Sequence, residues 1–418
     1  MIGKLAVRRP ARSKRHLVRS TGVVALVYGG SIAALFAGEL LLARHLGASE
    51  FGQYNLVRQG VPVVVVLALL GYDQALTRQT AARGGIAPQF DRRQLRLVAL
   101  SVALGGAGAA YLALRLDVAW PTASALVVAG AAVAVSSLVS GVMRASRRPE
   151  LGALAQQGHR LLAGTIFVVA ASVLSGSGAA IVFCVGALGV AVACGWWSAR
   201  LNRPWVVDDA THRTMRRLGL GYSLSLVTLA IGDWADLALA AELSGDLADV
   251  GQYGQLKLLA LYPLLSVGSI LGFVALPAIA SRGSRIGRTT AIRWTLGAAA
   301  GCLAMTAVMV PVSRYLAEAL FDVQAPWMLV TVLGVIGGLR LFYVLPSAFL
   351  GAVAPPRWLL GFGAAGAVGL GVQVAVTVLV GGDVLLAVAY GLLAGVLVRV
   401  VTGVVFCSTL LPPREVLP

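Results

Sequence analysis

Residues 52–83 read GQYNLVRQGVPVVVVLALLGYDQALTRQTAAR, and residues 251–282 read GQYGQLKLLALYPLLSVGSILGFVALPAIASR. Both stretches open on Gly-Gln-Tyr, carry a cation six positions later (Arg58 and Lys257), and close on Arg-Gly (Arg83-Gly84 and Arg282-Gly283). Between these marks each holds an apolar run of about the 20 residues that a helix needs to cross the hydrocarbon core of a bilayer. Allowing a two-residue insertion before the second Gly-Gln-Tyr, Glu39 also falls on Asp236. A membrane segment and its surroundings are therefore present twice.

The rest of the chain agrees with a membrane solvent. Of its 418 residues 58% are hydrophobic and 12% charged, with a mean hydropathy of +0.84. Soluble domains carry about 25% charged residues, so a water-soluble enzyme, a disordered chain and a disulfide scaffold are all excluded. The apolar residues gather into twelve blocks, near 20–43, 54–76, 95–114, 121–143, 155–175, 179–199, 218–240, 253–277, 292–312, 326–350, 358–380 and 384–405. The 50 glycines are spread through these blocks, as expected where helices must approach closely in lipid.

A net charge of +17 would suit a nucleic-acid binder if it formed a basic surface. Its placement says otherwise. Most of the basic residues sit before the first block and in alternate connections, with Arg78, Arg92, Arg147, Arg203, Arg213 and Arg288 among them. The opposite connections are acidic, holding Glu50, Asp117, Glu242, Asp246, Glu318 and Asp383. The positive-inside rule then puts both termini in the cytoplasm. The basic arm is expected to set topology and touch anionic lipid, and the first block, a full span in length, to be a span and not a cleaved signal. Each half holds six spans, an even number, so the repeats enter the membrane the same way up. The expected fold is all-α, a polytopic membrane protein with twelve transmembrane helices in two parallel six-helix bundles. The lobes run over 1–205 and 206–418, with the boundary near Pro204.

Ionisable residues inside spans are costly and face cavities or partners. Arg58 and Lys257 lie near the outer ends of spans two and eight. Either their stems snorkel to the headgroups, or they face each other across a cavity and attract an anion. Arg340, about fourteen residues into span ten, is too deep to snorkel outward and is the strongest candidate cavity cation. Asp233 and Asp236 share a helical face and can pair with cavity cations, hold a coupling proton or sodium ion, or, for Asp236, end the span. Glu39 has the same options. Asp73 and Arg78 form either an inner-gate salt bridge or a topology-setting end. Gln373, mid-span, can bind a ligand hydroxyl or a neighbouring helix. Pro62, Pro263, Pro277 and Pro346 can bend their spans. Four separated cysteines and four scattered histidines offer no disulfide or metal spacing, and no cofactor is expected.

Two passages carry a family resemblance. The first is Leu46-Gly47-Ala48-Ser49-Glu50-Phe51-Gly52-Gln53-Tyr54 followed by Gly71-Tyr72-Asp73-Gln74-Ala75-Leu76-Thr77-Arg78; the second is Gly251-Gln252-Tyr253 with Leu276-Pro277. In these the chain resembles the polysaccharide-biosynthesis or O-antigen flippases of the multidrug/oligosaccharidyl-lipid/polysaccharide exporter superfamily. The resemblance implies two bundles forming a V around a partly cationic cavity in a bacterial cell membrane. It also implies translocation of undecaprenyl-diphosphate-linked glycan units by alternating access, with a glycan polymerase or glycosyltransferases as partners. Arg58, Lys257, Arg340 and Gln373 are then the candidate substrate contacts, and Glu39, Asp73, Arg78, Asp233 and Asp236 the candidates for ion coupling or gating. The sequence departs from that family at Asp233-Trp234-Ala235-Asp236, where many members have Asp-Arg, and it lacks the two further C-terminal spans common in peptidoglycan-precursor exporters.

Two other functions compete. A proton- or sodium-coupled small-molecule or multidrug exporter of the same superfamily would fit the layout, although the within-span cations argue for an anionic cargo. A membrane enzyme of glycan assembly would need a large extramembrane loop or a catalytic cluster, and neither is present among these residues, so no enzymatic activity is expected.

Overall fold

Glu39 and Tyr54 lie within one helix by hydrogen-bond pattern, α1 (Lys14–Leu69), yet the Tyr54 hydroxyl donates to Glu39 Oε1 at 3.1 Å. Fifteen residues of straight helix would hold them about 22 Å apart at 1.5 Å per residue. The chain reverses at Gly47, whose φ of 73° and ψ of 169° suit a residue without a Cβ. Spans one and two are thus an antiparallel pair.

The computed structural model describes residues 14–82, 92–145, 148–201, 209–282 and 288–410. Beyond α1 it contains α2 (Tyr72–Ala82), α3 (Arg92–Arg115), α4 (Trp120–Ala145), α5 (Pro149–Ala170) and α6 (Gly176–Leu201). The second half holds α7 (Asp209–Ser244), α8 (Leu247–Ala260), α9 (Tyr262–Arg282), α10 (Arg288–Phe321), α11 (Trp327–Val353), α12 (Pro356–Leu379) and α13 (Val384–Leu410). No strand occurs among the described residues. The protein is an all-helical, multi-pass membrane protein. The basic arm before residue 14, the Arg83-Gly84 and Gly283 ends of the repeat, and the boundary at Pro204 lie outside the described residues.

Nine helices among the described residues are long and apolar enough to cross a membrane, and α8 with α9 makes a tenth, bent by 54°. The twelve expected spans require two more crossings. The reversal at Gly47 divides α1 into two, and α5 has the length of a span at 22 residues but carries Glu150, Gln156, Gln157, His159 and Arg160, which lower its hydropathy.

The bend between α8 and α9 has a local cause. Pro263 has no N–H to offer the carbonyl of Leu259 four residues back. Ser313 of α10 donates its hydroxyl there instead, at 3.0 Å, so the freed carbonyl is satisfied by a neighbouring helix. Pro62 and Pro346, by contrast, sit within continuous helices.

Helices α1 and α3 to α6 pack chiefly on one another, with α1 against α5, α3 against α4 and α4 against α6, while α2 packs on α4 and also on α7 and α9. A second group joins α12 to α13 and α7, and α11 to α9 and α13. The groups meet where α1 crosses α8. A Cβ on Gly52 would strike the carbonyl of Leu247, and one on Gly251 would strike the carbonyl of Ala48. Leu247 is the repeat counterpart of Ala48, and Gly251 of Gly52, so the contact is reciprocal, as a local two-fold axis requires.

Candidate functional site

The two repeats place the same three groups together. Glu39 accepts from the Tyr54 hydroxyl and pairs with Arg58. Asp236 accepts from the Tyr253 hydroxyl at 3.2 Å and lies 2.7 Å from Lys257 Nζ. Tyrosine and cation are four residues apart in each copy, one helical turn, which aims both at the carboxylate of the preceding span. Burial makes these pairs matter: Glu39 is 2% exposed, Asp236 0% and Lys257 1%. In a medium this poor in water, an ion pair needs every lone pair occupied. Asp236 meets that demand with the Leu237 N–H at 2.8 Å as well as both contacts to Lys257.

The copies are bridged. Lys257 Nζ also donates to Gln59 Oε1 at 3.2 Å. Gln59 Nε2 donates to Asn55 Oδ1 and to the Tyr262 hydroxyl, and the Arg58 guanidinium stands over the Tyr262 ring, 5.0 Å from its centroid. A polar layer therefore runs from Glu39 in the first helix group to Asp236 in the second.

This layer borders a cavity of about 600 Å³ whose walls include Glu39, Arg58, Gln59, Asp233, Lys257 and Arg340. Helices α1, α7, α8 and α11 supply these side chains. Arg340 pairs with Asp233 across α11 and α7. All three cations singled out in the sequence reach one cavity, and each arrives with a carboxylate partner.

Other expected residues are placed differently. Asp236 does not end its span: it is fully buried on Lys257. Asp73 and Arg78 make no salt bridge with one another. Arg78 instead donates from Nη1 to the carbonyls of Gly351 and Ala354, at 3.2 and 3.0 Å, because those groups end α11 and lack partners within it. Asp73 lines the cavity and accepts from Gln74. Gln373 is buried away from the cavity lining and donates to the Gly232 carbonyl at 2.9 Å, taking its partner from α7. Lys257 does not snorkel, since its ammonium has three oxygen-bearing neighbours inside the protein.

Sequence reading missed Arg160 and Arg399. Arg160 lines the cavity from α5, and Arg399 of α13 is 6% exposed and donates to the Gly366 carbonyl at 3.1 Å. The available signal was their place inside apolar blocks, away from any connection. Among the described residues no group of three or more His, Cys, Asp or Glu side chains can hold a metal ion.

No protein-family profile and no curated protein matches the chain. Solved structures do. An inward-facing multidrug resistance MATE family transporter of the MOP superfamily is 15% identical, with a TM-score of 0.61 over 90% of this chain and 94% of that one. An outward-facing one is 17% identical at 0.61, covering 93% and 95%. A MATE structure in the bent conformation is 17% identical at 0.62, covering 95% of both. These relatives are transporters, from the same superfamily as the sequence resemblance but from its multidrug side and not its flippase side. What the likeness establishes is the fold, which this chain shares over nearly its whole length with multidrug transporters of known structure.

Proposed function

We propose that the protein is an alternating-access transporter that exports small molecules from a bacterial cell, driven by proton or sodium entry. The observation that carries this reading is the convergence of two repeat-related carboxylate–tyrosine–cation sets on one cavity between the two helix groups. In the proposal these groups are lobes 1–205 and 206–418, the chain crosses the membrane twelve times, and both termini are cytoplasmic. Each carboxylate has a resident cation, so an entering proton or sodium ion can displace it and alter the contacts that join the lobes. Support for rocking comes from the fold, which similar proteins display in both inward-facing and outward-facing forms. Glu39 and Asp233 are the proposed coupling acids. Arg58, Lys257 and Arg340 are the proposed cargo contacts.

The test is transport by the purified protein in liposomes under an imposed pH or sodium gradient, read with a fluorescent amphiphile. Gradient-dependent movement that is lost in Asp233→Asn is expected. Movement of no amphiphile under either gradient would remove the reading.

A second reading is flipping of lipid-linked oligosaccharide, with glycosyltransferases or a polymerase as partners. It is favoured by the Gly71–Arg78 motif and by the cations on the cavity wall, which match a diphosphate better than a cationic drug. Its expected outcome is accumulation of lipid-linked repeat units on the cytoplasmic leaflet when the protein is depleted. Undisturbed delivery to the outer leaflet, with no redundant exporter in the cell, would reject it.

A further inference from the structure

Helix α1 does not run on into α2. Leu70 and Gly71, the two residues between them, both take positive φ, 47° and 68°. Glycine suits that conformation, whereas leucine adopts it at a cost, so the break persists only while its surroundings hold it. They hold it from both helix groups. A Cβ on Gly71 would lie 2.6 Å from the Gly219 carbonyl oxygen and 2.7 Å from Tyr222 Cβ, so the break is seated directly on α7. Further along, Arg144 of α4 donates from Nη2 to Thr77 Oγ1 at 3.3 Å and to Gln74 Oε1 at 3.5 Å. At the far end Arg78 is bonded to the carbonyls that close α11. A helix of 11 residues therefore bridges the groups, and its first turn supplies Asp73 and Gln74 to the cavity wall.

We infer that α2 is a strap across the cytoplasmic mouth of the cavity, and that the mouth opens by swinging α2 about Leu70 and Gly71 while the two helix groups stay together. Two physical costs favour this local step. Parting the groups on this side would pull Phe273 of α9 from Tyr28 and Ala153, which bury one another, and from the Arg144 guanidinium 4.9 Å above its ring. Swinging α2 breaks only the bonds of Arg78 and Arg144 to it and the seat on α7. Its sequence, YDQALTRQTAA, has one large aliphatic side chain, Leu76, so leaving that seat exposes little apolar surface. Opening also lets Leu70 return to the right-handed region that leucine prefers, which offsets part of the loss. Rocking of the groups follows the strap's release. The inference rests on the transport reading for the side on which the mouth lies; the hinge does not depend on it.

The test is the rate at which sulfonatoethyl methanethiosulfonate, which does not cross membranes, labels Ser266→Cys on the cavity wall. The full chain is labelled in inside-out vesicles, with the chain lacking Ser266→Cys as the blank for the native cysteines. Arg78→Ala is expected to speed labelling about tenfold, the effect of losing its two hydrogen bonds, and Arg78→Lys, which keeps a donor, to speed it less. Leu70→Asn is expected to slow labelling, because asparagine accepts positive φ more readily than leucine and so favours the closed strap. Leu70 is 39% exposed, and this variant decides the question if Arg78→Ala does not fold. Spin labels on the exposed residues Leu154 of α5 and Leu296 of α10 report the spacing of the groups, which is expected to be the same in wild type and Arg78→Ala. A spacing that grows by several ångströms as labelling speeds up, or labelling indifferent to Leu70→Asn, overturns the inference. Labelling that responds only in right-side-out vesicles overturns its cytoplasmic placement. Response to both variants without gradient-driven movement in liposomes would remove the transport reading and leave the strap. Gradient-driven movement with labelling blind to Leu70→Asn would do the reverse.

Discussion

Asn55 fills the volume above Gly254, its own counterpart in the other repeat. A Cβ placed on Gly254 would collide with Asn55 Nδ2. Near a local two-fold axis, equivalent positions face each other, and two large side chains cannot occupy the same space. The sequence solves this by asymmetry, with GQYN in one copy and GQYG in the other. One turn earlier the problem is solved by symmetry, since Gly52 and Gly251 are both glycine and their helices touch.

The two glycines of α8 therefore differ in what a methyl group would meet. Gly254→Ala meets the end of a movable side chain and is expected to cost about 1 kcal/mol or less, offset in part by alanine's helix propensity. Gly251→Ala meets the Ala48 backbone and is expected to cost about 1–3 kcal/mol, the usual range for overpacking. Melting of the purified variants checks this, and equal losses at the two positions would contradict the packing described.

Asp236 is wholly buried, so removing only its cation is the more damaging change. Lys257→Met is expected to destabilise the protein by about 3–5 kcal/mol. Adding Asp236→Asn to it is expected to recover most of that loss, because no uncompensated charge remains. A double variant no more stable than the single one would mean that the pair is not the reason for the loss.

The Asp233–Arg340 pair is different because the Asp233 side chain is 36% exposed. Arg340 itself is buried, but Arg340→Ala leaves Asp233 facing the cavity and is expected to cost less than Lys257→Met, while abolishing gradient-driven transport. Melting and liposome transport, measured on the same preparation, separate the two effects. Transport at the wild-type rate would remove Arg340 from the cargo site.

Ser313 and Pro263 make a coupled pair through the Leu259 carbonyl. Ser313→Ala leaves that buried acceptor without a partner, at an expected cost of about 1–3 kcal/mol. With Pro263→Ala in the same chain, the backbone N–H restored at that position can reach the Leu259 carbonyl, so the loss is expected to shrink. The double-mutant cycle is the readout, and strict additivity would show that the hydroxyl does not serve the bend.

Arg78 closes the end of α11 opposite the Gly47 end of the fold. Arg78→Ala is expected to leave the Ala354 carbonyl without a partner, while Gly351 keeps the Tyr222 hydroxyl, and to speed amide exchange in the last turn of α11 and the residues after it by roughly tenfold, equivalent to about 1.4 kcal/mol. Unchanged exchange there would remove the latch.

Several of these relationships were legible in the chain itself. The equivalence of Arg58 with Lys257, and of Glu39 with Asp236, follows from the duplicated Gly-Gln-Tyr and its spacing. The tyrosine of that motif was visible too, but nothing in its sequence says that its hydroxyl seals the ion pair. Arg160 and Arg399 were overlooked beside the topology-setting arginines, since a lone arginine inside an apolar block gives no sign of which way it points. Gln373 and Arg78 were assigned by chemical type, and only packing revealed that backbone carbonyls occupy them.

What the sequence by itself determined is the solvent and the repeat. Apolar runs of span length with few charges leave the chain no stable state in water, and a motif at a fixed offset makes the passages around Gly52 and Gly251 alike. Tertiary structure decided which charges meet. Pairing depends on the reversal at Gly47, on the bend at Pro263 and on the crossing of α1 with α8. Each of these moves a side chain by many ångströms, whereas the hydrogen bonds and ion-pair contacts that satisfy a buried charge form only within about 3 Å.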